Sequence, residues 1–157
     1  MLRALFLTAL TILLAGCGGG IGSQGLPERV WPPQTRLQEL AVQADGSWRV
    51  VVRLTNFSTV KVRYGRIDVR LDIEGTPAGP IVFETDIGMA AGAAEPFDMT
   101  LRPHADAART IERALAEGRS VRYSVTGEAA ALEPRGRWPQ QFEGVLTPVP
   151  GLSGVLR

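Results

Sequence analysis

From residue 36 onward, apolar and polar side chains alternate with a period of two. Trp48, Val50, Val52 and Leu54 alternate with Arg49, Val51, Arg53 and Thr55, and Val60, Val62 and Tyr64 with Lys61 and Arg63. Ile67, Val69, Leu71 and Ile73 then alternate with Asp68, Arg70, Asp72 and Glu74. Successive strand side chains point to opposite faces, so each segment reads as a strand with one core face and one wet face. The apolar positions are even up to Tyr64 and odd from Ile67, and Gly65 at that slip predicts a bulge or sharp bend. Further strands are expected around Ile81–Thr85 after a Gly75–Pro80 turn, at Phe97–Leu101, at Val121–Val125 and near Arg137–Val145. Asp45-Gly46, Asn56-Phe57-Ser58, Glu74-Gly75 and Ala91-Gly92 supply turn signals between them.

One segment has a different period. Residues 105–117 are rich in helix formers, with Ala108, Ile111 and Leu115 on one face. Pro103 fits just before a helix start, Asp106 suits the positive N-terminal end, and Gly118 fits the position past the C-terminus. The expected fold is therefore mainly β: an antiparallel sandwich with one α-helix at about 105–117 before the last strands.

The first residues follow neither period. Arg3 precedes an apolar run over residues 4–14, which is too short to span a bilayer and has the form of a secretory signal. The run ends in Leu14-Ala15-Gly16-Cys17, which resembles the lipobox of bacterial lipoproteins at every position. That resemblance implies cleavage between Gly16 and Cys17 and lipidation of Cys17, the only cysteine in the chain. Several acyl chains hold a protein firmly on a membrane where one is marginal. Gly18, in place of the Asp that retains many lipoproteins at the inner membrane, implies the periplasmic leaflet of the outer membrane. Residues 1–16 are thus read as the signal peptide, 17–35 as a Gly- and Pro-rich tether, 36–147 as the folded domain and 148–157 as a Pro/Gly tail.

A second resemblance covers about residues 36–146. A first hairpin over 36–55, Asn56-Phe57-Ser58, an alternating strand closing on Asp72-Ile73-Glu74-Gly75, a later helix, Gly118 and the run 121–127 together resemble the late embryogenesis abundant type 2 family, also called the water-stress and hypersensitive-response (WHy) domain. Of that family's Asn-Pro-Asn signature only Asn56 is kept. The resemblance implies an immunoglobulin- or fibronectin-III-like sandwich, a role in desiccation or envelope stress, and no shared catalytic site.

Composition narrows the chemistry. The 157 residues carry 17 Lys+Arg and 16 Asp+Glu, so a nucleic-acid partner recognised by phosphate neutralisation is not expected. Without Arg3 the two signs balance. One Cys and one His form neither an internal disulfide nor a His/Cys zinc site. His104 is the only imidazole, and Ser58, Ser120 and Ser124 stand in no nucleophile-elbow pattern. Asp68, Asp72 and Glu74 share a strand face, but Arg70 stands between them and no calcium-loop spacing is present. No enzyme, cofactor or metal is therefore expected.

Charge is segregated all the same. Six cations, Arg49, Arg53, Lys61, Arg63, Arg66 and Arg70, fall within 49–70 against the single anion Asp68, whereas 71–118 is mainly acidic. Two outcomes are open: a basic face that docks anionic lipid or a protein partner, or strands of opposite charge that neutralise each other across a sheet. The expected function is a membrane-anchored, non-catalytic periplasmic module for stress protection or weak ligand or lipid binding. The alternative is an accessory lipoprotein that docks a protein of an envelope complex through a sheet edge or the basic face.

Overall fold

The computed structural model describes residues 27–157. Within them, the alternating segments become β1 (Gln34–Val42), β2 (Trp48–Thr55), β3 (Val62–Ile73), β4 (Thr76–Met89) and β5 (Ala94–Leu101). After the helix α1 (Ala105–Glu117) come β6 (Val121–Glu133), β7 (Arg135–Leu146) and β8 (Val155–Leu156). All pairings are antiparallel, and they build two four-stranded sheets in the orders β5-β2-β1-β8 and β4-β3-β6-β7. The chain changes sheet between β2 and β3, between β4 and β5, through α1, and between β7 and β8. These crossings produce the expected immunoglobulin- or fibronectin-III-like sandwich.

Why β3 sits at the centre of its sheet follows from its pattern. Val62, Tyr64, Ile67, Val69, Leu71 and Ile73 are all buried, and Arg63, Arg66, Asp68 and Arg70 are exposed. The parity change is absorbed by a bulge: the β3–β4 register shifts between Tyr64 and Arg66, and the β3–β6 register shifts between Tyr64 and Ile67. Gly65 lies under Leu132, whose side chain would stand 3.0 Å from a Cβ placed there. The bulge thus keeps one strand facing the core on both sides of the slip.

Two expectations need correction. The Gly75–Pro80 turn is only the two residues Glu74 and Gly75, with φ of 49° and 78°, and β4 runs straight through Pro77 and Pro80. Proline is tolerated there because β4 is an edge strand, with one row of backbone N–H groups that needs no partner. The predicted tail is also part of the sandwich. Val155 and Leu156 pair with Ala41 and Leu40, and Leu156 is fully buried. Positive φ at Gly151 and Gly154 turns the chain back for this short return.

The helix lies where it was expected, across one end of the sandwich. Its fully buried positions are Ala107, Ile111 and Ala114, with Ala108 and Leu115 at the margin, so the apolar face is centred slightly away from Ala108 and Leu115. Gly118 closes it in the left-handed conformation (φ 62°), and the Arg119 N–H donates to the Ala114 carbonyl at 2.8 Å. At the other terminus the His104 N–H donates to the Ala78 carbonyl of β4 at 2.9 Å.

The strand directions define two ends. The capped end carries the β1–β2 and β3–β4 turns, α1 and residues 147–154. The arrival end carries residues 27–33, the β2–β3 turn, the β4–β5 turn and the β6–β7 hairpin. Among the described residues, every buried core side chain lies between Leu37 and Leu156.

Candidate functional site

The six cations do not form one face. Arg49 and Arg53 project from β2 on the outside of one sheet, whereas Arg63, Arg66 and Arg70 project from β3 on the outside of the other. Lys61 sits in the turn before β3, at the arrival end. Three of them are neutralised by acids on neighbouring strands. Arg49 bridges Glu39 of β1 (2.9 Å) and Asp98 of β5. Arg63 holds Asp86 of β4 through two contacts, one of 2.7 Å. Arg66 holds Glu84 of β4 (2.6 Å) and Asp68 of its own strand (2.9 Å).

The hydrogen bond from Arg63 holds the Asp86 carboxyl below the usual carboxylate range. Arg53, Lys61 and Arg70 make no ion pair among the described residues. Cross-strand pairing thus neutralises half of the cluster, and topology divides the rest.

The carboxylates Asp68 and Asp72 of β3 and Glu74 of the β3–β4 turn do not converge either. Asp68 faces Arg66, and Glu74 accepts the Arg122 backbone N–H at 2.9 Å, which lowers its pKa, with Arg119 and Arg122 nearby. Among the described residues no three His, Cys, Asp or Glu side chains come together to hold a metal ion. His104 is exposed at the start of α1, at the capped end. Ser58 lies at the opposite end, with its hydroxyl on the Trp31 backbone, and the Ser120 hydroxyl is paired with that of Thr147 at 2.9 Å. Gly16 and Cys17, the cleavage and lipidation residues, lie outside the described residues.

Asn56 is the best-connected polar side chain of the fold. It is fully buried. Its amide nitrogen donates towards the carbonyls of Val60, Met89 and Ala90 at 3.1, 3.1 and 3.0 Å. Its Oδ1 accepts the Ser58 N–H at 3.0 Å and the Tyr64 hydroxyl at 3.2 Å. One side chain therefore satisfies the carbonyls of two turns that both cross between the sheets. Burial pushes the Tyr64 phenol up to about 12. Asn56 is an internal brace, with no surface left to recognise a ligand.

Beside this brace lies a patch that the alternation pattern did not reveal. Residues 27–31 are stitched to the β2–β3 turn: the Thr59 N–H donates to the Arg29 carbonyl (3.0 Å), the Arg29 N–H to the Thr59 hydroxyl (2.8 Å), and the Trp31 N–H to the Ser58 hydroxyl (3.0 Å). The backbone is held, yet Trp31 is 48% exposed, Phe57 54% and Val30 39%. A cleft of about 930 Å³ opens next to them, bounded by Val30, Val60, Lys61, Gly88 and Glu133. The one signal in the sequence was a bulky aromatic, Trp31, within a stretch read as a tether.

The interior is closed. Trp48, Tyr64, Leu40, Leu54, Ile67 and Leu71 fill the space between the sheets with 1% exposure or less. The Tyr123 hydroxyl donates to the Leu37 carbonyl at 3.0 Å, and Gln140 Oε1 accepts the Thr35 N–H at 3.0 Å. Both contacts tie β1 to the opposite sheet.

No family model matches the chain, and no curated protein does. Solved structures do resemble it. A protein of Arabidopsis thaliana, known from its solution structure, aligns with a TM-score of 0.50 at 12% identity, over 87% of this chain and 93% of that one. A crystal structure of a protein from Archaeoglobus fulgidus aligns with a TM-score of 0.42 at 12% identity, over 77% and 98% respectively. The Arabidopsis likeness supports the sandwich fold.

Proposed function

We propose that this protein is a membrane-anchored, non-catalytic module of the late embryogenesis abundant type 2 kind. It is held by lipidated Cys17 on the periplasmic face of the outer membrane and acts in envelope or desiccation stress through its surface. The observation that carries the reading is Leu14-Ala15-Gly16-Cys17 after a short apolar run and ahead of an all-antiparallel sandwich. The filled interior favours surface contact over an enclosed apolar ligand. The division of the cations between two opposite faces weighs against one basic docking face, and so against that form of the accessory-subunit reading.

Labelled palmitate tests the anchor. Wild type should incorporate the label and Cys17→Ser should not; a wild type without label removes the lipoprotein reading. For the role, cells lacking the protein should lose viability on drying, with rescue by wild type and not by Cys17→Ser. Equal survival of all three strains would remove the stress assignment.

A further inference from the structure

We infer that the arrival end of the sandwich, built around Trp31 and Phe57, rests on the lipid headgroup surface of the membrane that carries the anchor. The inference rests on the lipid-anchor reading of Cys17 and goes beyond it, because an anchor alone leaves the orientation of a domain open.

Three observations converge on this end. The first is chain length. Nine residues, 18–26, and so ten Cα–Cα steps, separate the anchor position Cys17 from the first described residue, Pro27. Fully extended they span at most about 33–36 Å. The capped end lies a further strand length away: β3 alone has twelve residues, roughly 40 Å at 3.3 Å per residue. The arrival end is therefore the one held near the membrane.

The second is presentation. Exposed aromatics are ordinarily mobile or partly covered, but here Trp31 and Phe57 flank the Ser58 contacts that fix their backbones. Holding a tryptophan and a phenylalanine open on a braced turn suits the bilayer interface, where amphipathic rings sit at headgroup level.

The third is charge. Arg29 and Lys61, both exposed and close in the chain to Trp31 and Phe57, make no ion pair among the described residues and are free for phosphate oxygens. Glu28 and Glu133 are also at this end, so the cations orient the patch rather than dominate it. Apolar contact is the main term, and moderate salt should weaken the association only slightly.

The lone thiol provides a direct test. The chain from Cys17 onward is coupled through that thiol to maleimide-headgroup lipid in vesicles of phosphatidylethanolamine and phosphatidylglycerol. Fluorescence is then compared with the uncoupled chain, with and without lipids brominated near the headgroup. The total tryptophan emission, to which Trp48 and Trp138 also contribute, should shift to the blue and be partly quenched by brominated lipid. Trp31→Phe should abolish both changes, and Phe57→Ser should reduce the quenching. Identical spectra in the coupled and free chains, with Trp31 equally open to aqueous acrylamide, would overturn the inference. Trp31 that stays water-like on vesicles but is shielded in intact envelopes would assign the patch to a protein and overturn it as well. Chemical coupling bypasses cellular acylation, so the two readings fail separately. Absent palmitate removes the anchor, whereas palmitate with unchanged emission removes only the membrane-facing end.

Discussion

The two ends of the sandwich solve the same problem with opposite chemistry. At the capped end, α1 lays Ala107, Ile111 and Ala114 over the open ends of β3 and β4, and apolar burial closes the fold. At the arrival end no helix is available. Two crossover turns meet there, and Asn56 holds their carbonyls together while Trp31 and Phe57 stay outside. Apolar closure is broad and tolerates repacking; a buried amide works only with its partners in place. The polar solution also leaves aromatic surface free for another use.

The sharpest way to break this contrast is Asn56→Ala. It leaves three carbonyls, one N–H and the Tyr64 hydroxyl to find other partners, and should cost about 4 kcal/mol, read as a large fall in the urea midpoint. A cost below that of a typical surface change would mean that water replaces the brace. Ile111→Ala tests the opposite end. Deleting a fully buried side chain under the helix should cost about 3 kcal/mol, with the arrival-end hydrogen bonds still protected in amide exchange. Simultaneous loss of protection at both ends would show that the two closures are one cooperative unit.

A smaller effect separates them by pH. The Tyr64 phenol has a higher pKa folded, about 12, than its ordinary value near 10, so the folded state holds the proton more tightly. Its contribution is fully present below pH 10 and is lost as pH rises from 10 towards 12. Thermal melts should show the midpoint falling over that window, and Tyr64→Phe should flatten the fall. Arg63→Gln should do least. Its pair with Asp86 is solvent-exposed, and the melting midpoint should not move.

Much of this was legible in the sequence, for identifiable reasons. The slip of parity across Gly65 announced the bulge because a strand with one buried face cannot change register silently. The helix showed through its composition and its Gly118 stop. β8 did not show, since two residues carry no periodicity, and β4 was shortened by prolines that an edge strand accepts. The cation cluster was visible as charge along the chain, but division between faces depends on which sheet each strand joins. The Asn56 brace and the Trp31–Phe57 patch draw on residues far apart in the chain, and only the folded topology brings them together.

The ties from β1 to the opposite sheet carry a kinetic consequence. Thr35 meets Gln140 across 105 positions, and Leu37 meets Tyr123 across 86. β1 pairs locally with β2, but its ties to the opposite sheet must wait until β6 and β7 are available. Topologies dominated by such distant pairings fold in milliseconds to seconds rather than microseconds. Closure of the two sheets on each other, rather than formation of the β1–β2 hairpin, therefore sets the folding clock.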